Sequence, residues 1–166
     1  EASLATAEAI DLAPVDLPGP TGESNRLSLH PRGTLLCLGE LGSDRPDAAV
    51  GQAFLALALG NAAVVAAPAA AATVSALRAV GAPVAALDGR VAPEALRSCR
   101  PLDAVLAEGP VAALREVRQA LAARDGALVP LVIGHLEPHR CLVERALCID
   151  TTAAGGNAQL LVAAAE

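Results

Sequence analysis

The sequence predicts an α/β fold in which a mostly parallel sheet is covered by helices on both faces. Three observations carry this prediction. Short segments that are apolar throughout recur along the chain, and segments with helical spacing of apolar residues lie between them. Glycine or proline stands at most of the boundaries, where helices and strands commonly end. The expected architecture is Rossmann-like and doubly wound, with an extended N-terminal arm and a C-terminal tail.

The elements follow one another at regular intervals. Strands are predicted over 33–38, 62–67, 84–87, 103–107 and 128–133, and helices over 47–59, 69–80, from Pro93 and from Pro110. Gly60 and Gly81 follow two of the helices, at the position where a helix end favours glycine. The helix after Pro110 has the clearest amphipathic spacing, and proline suits its first turn. Pro130 predicts a strand end or an edge position for the last of these strands.

The two ends of the chain differ from this pattern. Residues 1–30 are predicted as a linker or arm, because Pro14, Pro18 and Pro20 interrupt any regular element there. Residues 31–140 form the predicted Rossmann-like domain, and 141–166 contain one more strand, over 141–150, and a tail of small residues. Such a tail buries little by itself and is expected to dock onto another surface.

Composition excludes several classes of function. The length of 166 residues suits about one domain. The apolar fraction of 54% argues against disorder, and the net charge of −6 argues against a nucleic-acid partner. There is no lysine, and Phe54 is the sole aromatic residue, so a lysine Schiff base and an aromatic stacking platform are excluded. The chain starts at Glu1 and contains no methionine, which predicts that it is part of a longer protein.

No metal site or membrane span is predicted. His135, His139 and Cys141 lie close together, but they lack a fourth ligand at a familiar spacing, so turn or surface histidines are expected. Cys37 and Cys148 stand among apolar residues and are expected to be buried. The uncharged stretch 48–77 is rich in alanine and is interrupted by glycine and proline, so a buried helix and strand explain it better than a transmembrane helix. With no secretory signal at the start, a cytoplasmic location is expected.

The turns that should hold a dinucleotide are unsuited to it. In a doubly wound sheet this site lies at the carboxyl ends of the strands. The turn over 39–46 carries Glu40 and Asp44, and the later turn reads Glu108-Gly109-Pro110, whose proline has no N–H to donate. The serines lack the setting of an exposed nucleophile, and Glu137 and Glu144 are expected to be solvated. No catalytic, cofactor-binding or metal-binding residue is predicted.

Two segments carry a resemblance to a known family. Residues 17–25 with 31–33, and the tail 148–158, resemble the C-terminal region of proline utilization A, a family of bifunctional bacterial enzymes of proline catabolism. Residues 57–70 are similar to a helix and strand of the aldehyde dehydrogenase cofactor domain. That superfamily has a Lys-Pro-x-Glu string there, whereas this chain has Ala67, Pro68 and Ala70 at the matching positions.

The resemblance implies a role inside a larger enzyme. The parent oxidises proline with FAD, passes the semialdehyde internally and oxidises it to glutamate with NAD. Longer members carry a non-catalytic C-terminal domain that covers the passage between the active sites, and a terminal motif that docks on the dehydrogenase module. The docking motif would comprise Asp150, Thr151, Thr152, Ala153, Ala154, Gly155, Gly156, Asn157 and Ala158.

Partners and alternatives follow from the same resemblance. The implied partners are the proline dehydrogenase and aldehyde dehydrogenase modules of the same polypeptide, together with a second subunit. Neither nucleic acid nor a membrane is among them. Two other interpretations stay open: a regulatory or vestigial NAD-binding module, and an oligomerisation domain that pairs through an exposed strand edge or tail.

Overall fold

The computed structural model describes residues 2–133 and 137–150. Its elements are α1 (Ala2–Glu8), β1 (Val15–Leu17), β2 (Glu23–Pro31), β3 (Thr34–Glu40), α2 (Asp47–Ala58), β4 (Ala62–Ala66), α3 (Ala71–Ala79), β5 (Val84–Leu87), β6 (Ala104–Glu108), α4 (Val111–Ala122), β7 (Leu131–Ile133) and β8 (Leu142–Asp150). Two short 3₁₀ helices cover Pro93–Arg97 and Pro138–Cys141. The described residues form two compact units, 2–11 with 31–143, and 12–30 with 144–150. The domain boundaries after residues 30 and 140 stay predictions.

The first unit contains a five-stranded parallel sheet in the order β5-β4-β3-β6-β7. From β3 the chain moves outward through β4 to β5, and then it returns to the other side of β3 for β6 and β7. The strand order therefore reverses between β3 and β6, which are paired through Leu36 and Val105. The predicted Rossmann-like, doubly wound α/β sheet is confirmed.

The central strand β3 is buried on both faces because helices cover both sides of the sheet. On one face, Leu36 and Leu38 belong to a cluster with Leu114 and Val117 of α4. On the other face, Gly39, near the end of β3, lies against Ala49 of α2. Each fully buried leucine in such a core contributes about 2 kcal/mol of stability. Apolar strands without alternation are thus explained by their position in the middle of the sheet.

Helix α2 ends in a glycine-dependent motif, as predicted. Gly60 has a φ of +80°, a conformation that L side chains rarely adopt, and a Cβ there would lie 2.8 Å from Pro31. Its N–H donates to the carbonyl of Leu57 at 2.9 Å, and the N–H of Asn61 donates to that of Ala56 at 2.9 Å. These two bonds form a Schellman motif and satisfy carbonyls that the helix end would leave open. The chain is thereby turned directly into β4.

Asn61 is a buried polar residue at the amino end of the sheet, with 1% of its surface exposed. Its Oδ1 accepts a hydrogen bond from the N–H of Gly33 at 3.0 Å. Its Nδ2 donates to the carbonyls of Ala56 at 3.3 Å and Cys141 at 3.1 Å. One amide side chain therefore joins the start of β3, the last turn of α2 and the segment before β8.

The second unit is a three-stranded sheet in the order β1-β2-β8. Strands β1 and β2 are antiparallel, with Val15 opposite Leu27, and Asp16 pairs with Arg26 at 2.9 Å. These strands and α1 lie within the segment predicted as a linker or arm, so that prediction is wrong for them. Prolines do not prevent the strands because Pro18 lies in the connection between them, where no ladder hydrogen bond is needed.

The burial predicted for Cys148 is wrong, because this residue is exposed. Its neighbours in β8, Leu147 and Ile149, are themselves 56% and 49% exposed. An apolar sequence around a cysteine indicates burial only where a second layer covers the strand. Cys37, in the covered strand β3, is buried as predicted.

We expect replacement of Asn61 by alanine to lower the free energy of unfolding by about 2–3 kcal/mol. The substitution leaves the partly buried N–H of Gly33 without its acceptor and removes the buried amide that joins three segments. Urea denaturation followed by circular dichroism measures the effect. Gln119→Ala on the exposed side of α4 serves as the control and is expected to change stability by less than about 0.5 kcal/mol. Equal stability of the two variants would contradict the role given to Asn61.

Candidate functional site

A cavity of about 290 Å³ lies at the carboxyl ends of the parallel strands in the first unit. Its walls come from the turn after β3, the end of β4, the loop after β5 and the first half of α4. The reversal of strand order between β3 and β6 occurs at the same edge of the sheet. In open α/β sheets this is where ligands bind, so the cavity occupies the position of a dinucleotide site.

Backbone N–H groups at the end of β3 and in the turn after it already donate hydrogen bonds within the chain. Gly39, with a φ of +65°, donates to Oε1 of the buried Gln52 at 2.9 Å. The N–H of Leu41 donates to the carbonyl of Glu108 at 2.7 Å, and the N–H of Ser43 donates to the carbonyl of Glu40 at 3.0 Å. A phosphate cradle requires several free N–H groups that point at the ligand. In this turn, alternate N–H groups are already engaged within the chain.

Glu108 also anchors the second turn. Because its carbonyl accepts from Leu41, the turns after β3 and β6 are tied together. A Cβ on Gly109, whose φ is +135°, would lie 3.1 Å from the Cβ of Leu41. A side chain at Gly109 would therefore be strained by its backbone conformation and would press on Leu41. The two turns that would flank a pyrophosphate thus pack on each other.

The charge at the cavity is negative on balance. Arg90 pairs with Asp44 at 2.7 Å, and its Nη2 also donates to the carbonyl of Gly42 at 3.2 Å. Arg45 pairs with Asp47 at 2.7 Å. Both arginines that line the cavity are therefore matched by a carboxylate. Two further carboxylates, on Glu40 and Glu116, line the same cavity and make it unfavourable for an anion.

The floor of the cavity is small and apolar. Ala67 is 5% exposed and Pro68 lines the cavity beside it, while Ala70 is 1% exposed at the start of α3. These are the positions at which the resemblance to aldehyde dehydrogenases leads one to expect a lysine and a glutamate. Alanine at both positions supplies neither a cation for a nucleotide phosphate nor a carboxylate for a ribose hydroxyl.

Two residues at this edge were not anticipated from the sequence. Gln52 holds the turn after β3, and its signal was its position as a polar residue on the buried face of α2. Arg90 reaches back to the turn after β3 from a loop that follows β5, and no local pattern indicates that contact. Long-range pairs of exposed charges leave no periodic trace in a sequence.

The buried cysteines are chemically quiet. Burial and the nearby Cys141 both raise the pKa of the Cys37 thiol far above its usual range. Burial raises the pKa of Cys141 to about 11, although Arg32 acts in the opposite direction. Because the thiolate is the nucleophile and the metal ligand, neither residue has the reactive form near neutral pH.

The structure describes only some of the site residues that were named from the sequence. Of the predicted docking motif, Asp150 is the last residue of β8, while residues 151–158 lie outside the described residues. His135 also lies outside them. Within residues 2–133 and 137–150, no group of three or more His, Cys, Asp or Glu side chains could hold a metal ion. In the same residues, no helix has both the length and the apolarity needed to cross a bilayer.

Comparison with known proteins gives structural matches. No family model and no curated protein sequence matches the chain. A solved structure of proline utilization A from Bradyrhizobium japonicum, in a mutant form, has a TM-score of 0.61 and 31% sequence identity over 78% of this chain. This chain spans 14% of the length of that protein.

Further solved structures share the fold at lower identity. PnpE solved in complex with nicotinamide adenine dinucleotide has a TM-score of 0.63 and 21% identity, and PnpE from Pseudomonas sp. WBC-3 has a TM-score of 0.62 and 19% identity. Each match covers 78% of this chain and 27% of PnpE. An NAD-dependent benzaldehyde dehydrogenase from Corynebacterium glutamicum has a TM-score of 0.60 and 16% identity, covering 74% of this chain and 29% of the dehydrogenase. The chain therefore shares the fold of these dehydrogenases and is similar to part of proline utilization A.

Proposed function

We propose that this chain is a non-catalytic C-terminal domain of a cytoplasmic bifunctional enzyme that converts proline to glutamate. In that enzyme it acts as a lid over the cavity through which the intermediate passes, and it supports the aldehyde dehydrogenase module. One observation carries the proposal. The doubly wound sheet is present, but alternate N–H groups at the end of β3 and in the turn after it are engaged within the chain, and the carboxylates of Glu40 and Glu116 line the cavity there.

The charged groups at this edge support a structural role over a catalytic one. The carboxylates of Glu40 and Glu116 oppose the approach of a pyrophosphate, and both arginines that line the cavity are paired. A domain that keeps its sheet and loses its ligand contacts is free to serve as a surface. In the parent, FAD and NAD then belong to the other modules, and this chain binds neither.

The tail supplies the second part of the proposal. The motif Asp150–Ala158 would dock on the aldehyde dehydrogenase module of the same polypeptide or of a second subunit. Support comes from its composition, because a run of small residues with two glycines allows a backbone to approach another chain closely. The proline dehydrogenase module would be the second partner, on the other side of the covered cavity.

The lid role predicts the behaviour of the parent enzyme when the segment that corresponds to this chain is deleted. Proline dehydrogenase activity should persist, while NADH formation from proline should show a longer lag and the semialdehyde intermediate should escape into solution. Stopped-flow absorbance records the lag, and trapping with o-aminobenzaldehyde measures the escaped intermediate. Time courses identical to those of the full-length enzyme would refute the lid.

Docking by the tail predicts that bulky residues in the motif are harmful. In the full-length parent, Gly155→Val together with Gly156→Val should lower dehydrogenase activity by about tenfold, because β-branched side chains block close approach of the backbone. Ala164→Val, outside the motif, is the matched control and should leave activity unchanged. Thermal melting of each variant separates a docking defect from unfolding. Unaltered kinetics in the double variant would remove the docking role.

A vestigial NAD-binding module is the alternative, favoured by the presence of the cavity itself. Isothermal titration of the 166-residue chain with NAD distinguishes the two. The engaged N–H groups and the negative charge predict no saturation up to about 1 mM, where the binding free energy would be only about −4 kcal/mol. An active NAD-dependent dehydrogenase measured in the same buffer is the positive control. Saturation of this chain well below that concentration would support the alternative.

A further inference from the structure

The amino ends of the parallel strands carry an unexpected concentration of positive charge. Two adjoining clefts of about 460 and 500 Å³ lie where the chain enters β3, β6 and β7. Five of the arginines in a chain of net charge −6 line these clefts. They are Arg32, Arg100, Arg118, Arg124 and Arg140. We call the two clefts together the arginine cleft.

Two of these guanidinium groups converge on one atom. Nη1 of Arg100 donates to the carbonyl oxygen of Cys99 at 3.1 Å, and Nη2 of Arg124 donates to the same oxygen at 2.8 Å. Arg124 also donates to the carbonyl of Leu96, while its buried Nε has no hydrogen-bond partner in the part of the chain that the structure describes. Two like charges are thus held side by side, an arrangement that an anion would stabilise.

The partners of these arginines orient them and leave their charge in place. Arg100 donates to the carbonyl of Asp125 at 3.0 Å, and Arg32 donates to those of Arg140 and Leu142, each at 2.8 Å. A carbonyl oxygen carries no net charge, so these bonds fix the guanidinium groups without neutralising them. Ordered, uncompensated guanidinium groups are well suited to bind carboxylates.

The carboxylates of Asp103 and Asp125 also line the arginine cleft, but neither forms an ion pair with its arginines in the part of the chain that the structure describes. Oδ2 of Asp103 accepts from the N–H of Thr34 at 2.7 Å, and Glu137 pairs with Arg140 at 3.0 Å. Within residues 2–133 and 137–150, the ion pairs involve Arg26, Arg45, Arg90 and Arg140. The guanidinium groups of Arg32, Arg100, Arg118 and Arg124 are therefore open to a carboxylate from another molecule or segment.

An apolar side chain stands between the two halves of the arginine cleft. Leu128 lines both halves and is 91% exposed, the highest exposure among the large apolar residues that the structure describes. Val129 lies beside it and also lines both halves. Protein interfaces commonly combine arginine with an apolar anchor that becomes buried on binding. A small anion in one half would leave Leu128 and Arg118 uncovered.

We propose that the arginine cleft binds an extended, acidic polypeptide segment that carries an apolar residue among its Asp or Glu side chains. The carboxylates would pair with Arg100 and Arg124 on one side and with Arg118 on the other, and the apolar residue would cover Leu128. The net charge of −6 makes the chain as a whole repel a polyanion such as nucleic acid, so a short acidic segment fits better. This site lies at the sheet edge opposite the cavity and goes beyond the proposed function.

Fluorescence anisotropy of the 166-residue chain tests this inference with a short, labelled peptide of repeating Glu-Glu-Leu sequence. We expect saturable binding that weakens as ionic strength rises from about 0.01 M to 0.1 M, because screening shortens the reach of the charges. The matched Gln-Gln-Leu peptide should bind at least about tenfold more weakly. An unlabelled single-stranded oligonucleotide and glutarate serve as competitors.

Matched variants locate the site. Arg118→Glu should weaken binding of the acidic peptide by about fivefold or more, and Leu128→Ser by about threefold or more. Arg115→Glu, on the same helix but outside the arginine cleft, should leave the affinity unchanged. All three positions are exposed or partly exposed, and melting curves confirm that each variant is folded. Equal losses in the Arg118 and Arg115 variants would overturn the proposal. So would the absence of peptide binding, or tighter binding of the oligonucleotide or glutarate than of the peptide.

Discussion

The buried amide of Asn61 is the interaction on which the arrangement of the first unit depends. It accepts from Gly33 at the entry to β3 and donates to the carbonyls of Ala56 and Cys141. Each of these groups would be costly to bury without a partner. Because α2 must end at Gly60 for Asn61 to take this position, the length of the helix, the start of β4 and the alignment of β3 are set together. The same alignment fixes where β3 and β4 end at the opposite edge, beside the cavity.

The charges at the two edges of the parallel sheet differ from those that such folds commonly display. Helix N-termini at the carboxyl edge of a parallel sheet commonly favour anions. Here that edge carries Glu40 and Glu116, whereas arginines such as Arg100 and Arg124 gather at the amino edge, near the end of α4. The backbone N–H groups at the carboxyl edge donate hydrogen bonds within the chain and so stabilise the turns there. The sheet thus has the doubly wound frame, with carboxylates at the edge where ligands commonly bind in such folds.

Much of this frame is predictable from the sequence, for physical reasons that also explain the failures. Strand β5 and helix α2 follow from apolar runs bounded by glycine, which are local patterns. Strands β1 and β2 were missed because prolines in their connection dominate the composition, and the exposure of Cys148 depends on which layers cover β8. At the cavity, the acidic turn was anticipated from its own residues. The reach of Arg90 to Asp44 was not, because that contact joins loops far apart in the sequence.

The position of β3 in the middle of the sheet also has a consequence for how the chain folds. Strand β4 follows β3 after a single helix, so their pairing closes a short loop. Strand β6 pairs with β3 only after the whole β4-α3-β5 segment has been synthesised, and this non-local pairing carries a larger loop-closure entropy. We therefore expect the half of the sheet from β3 to β5 to assemble early. The docking of β6 and α4 onto this half would be the late, cooperative step. The same step brings together the turns after β3 and β6 at the carboxyl edge of the sheet.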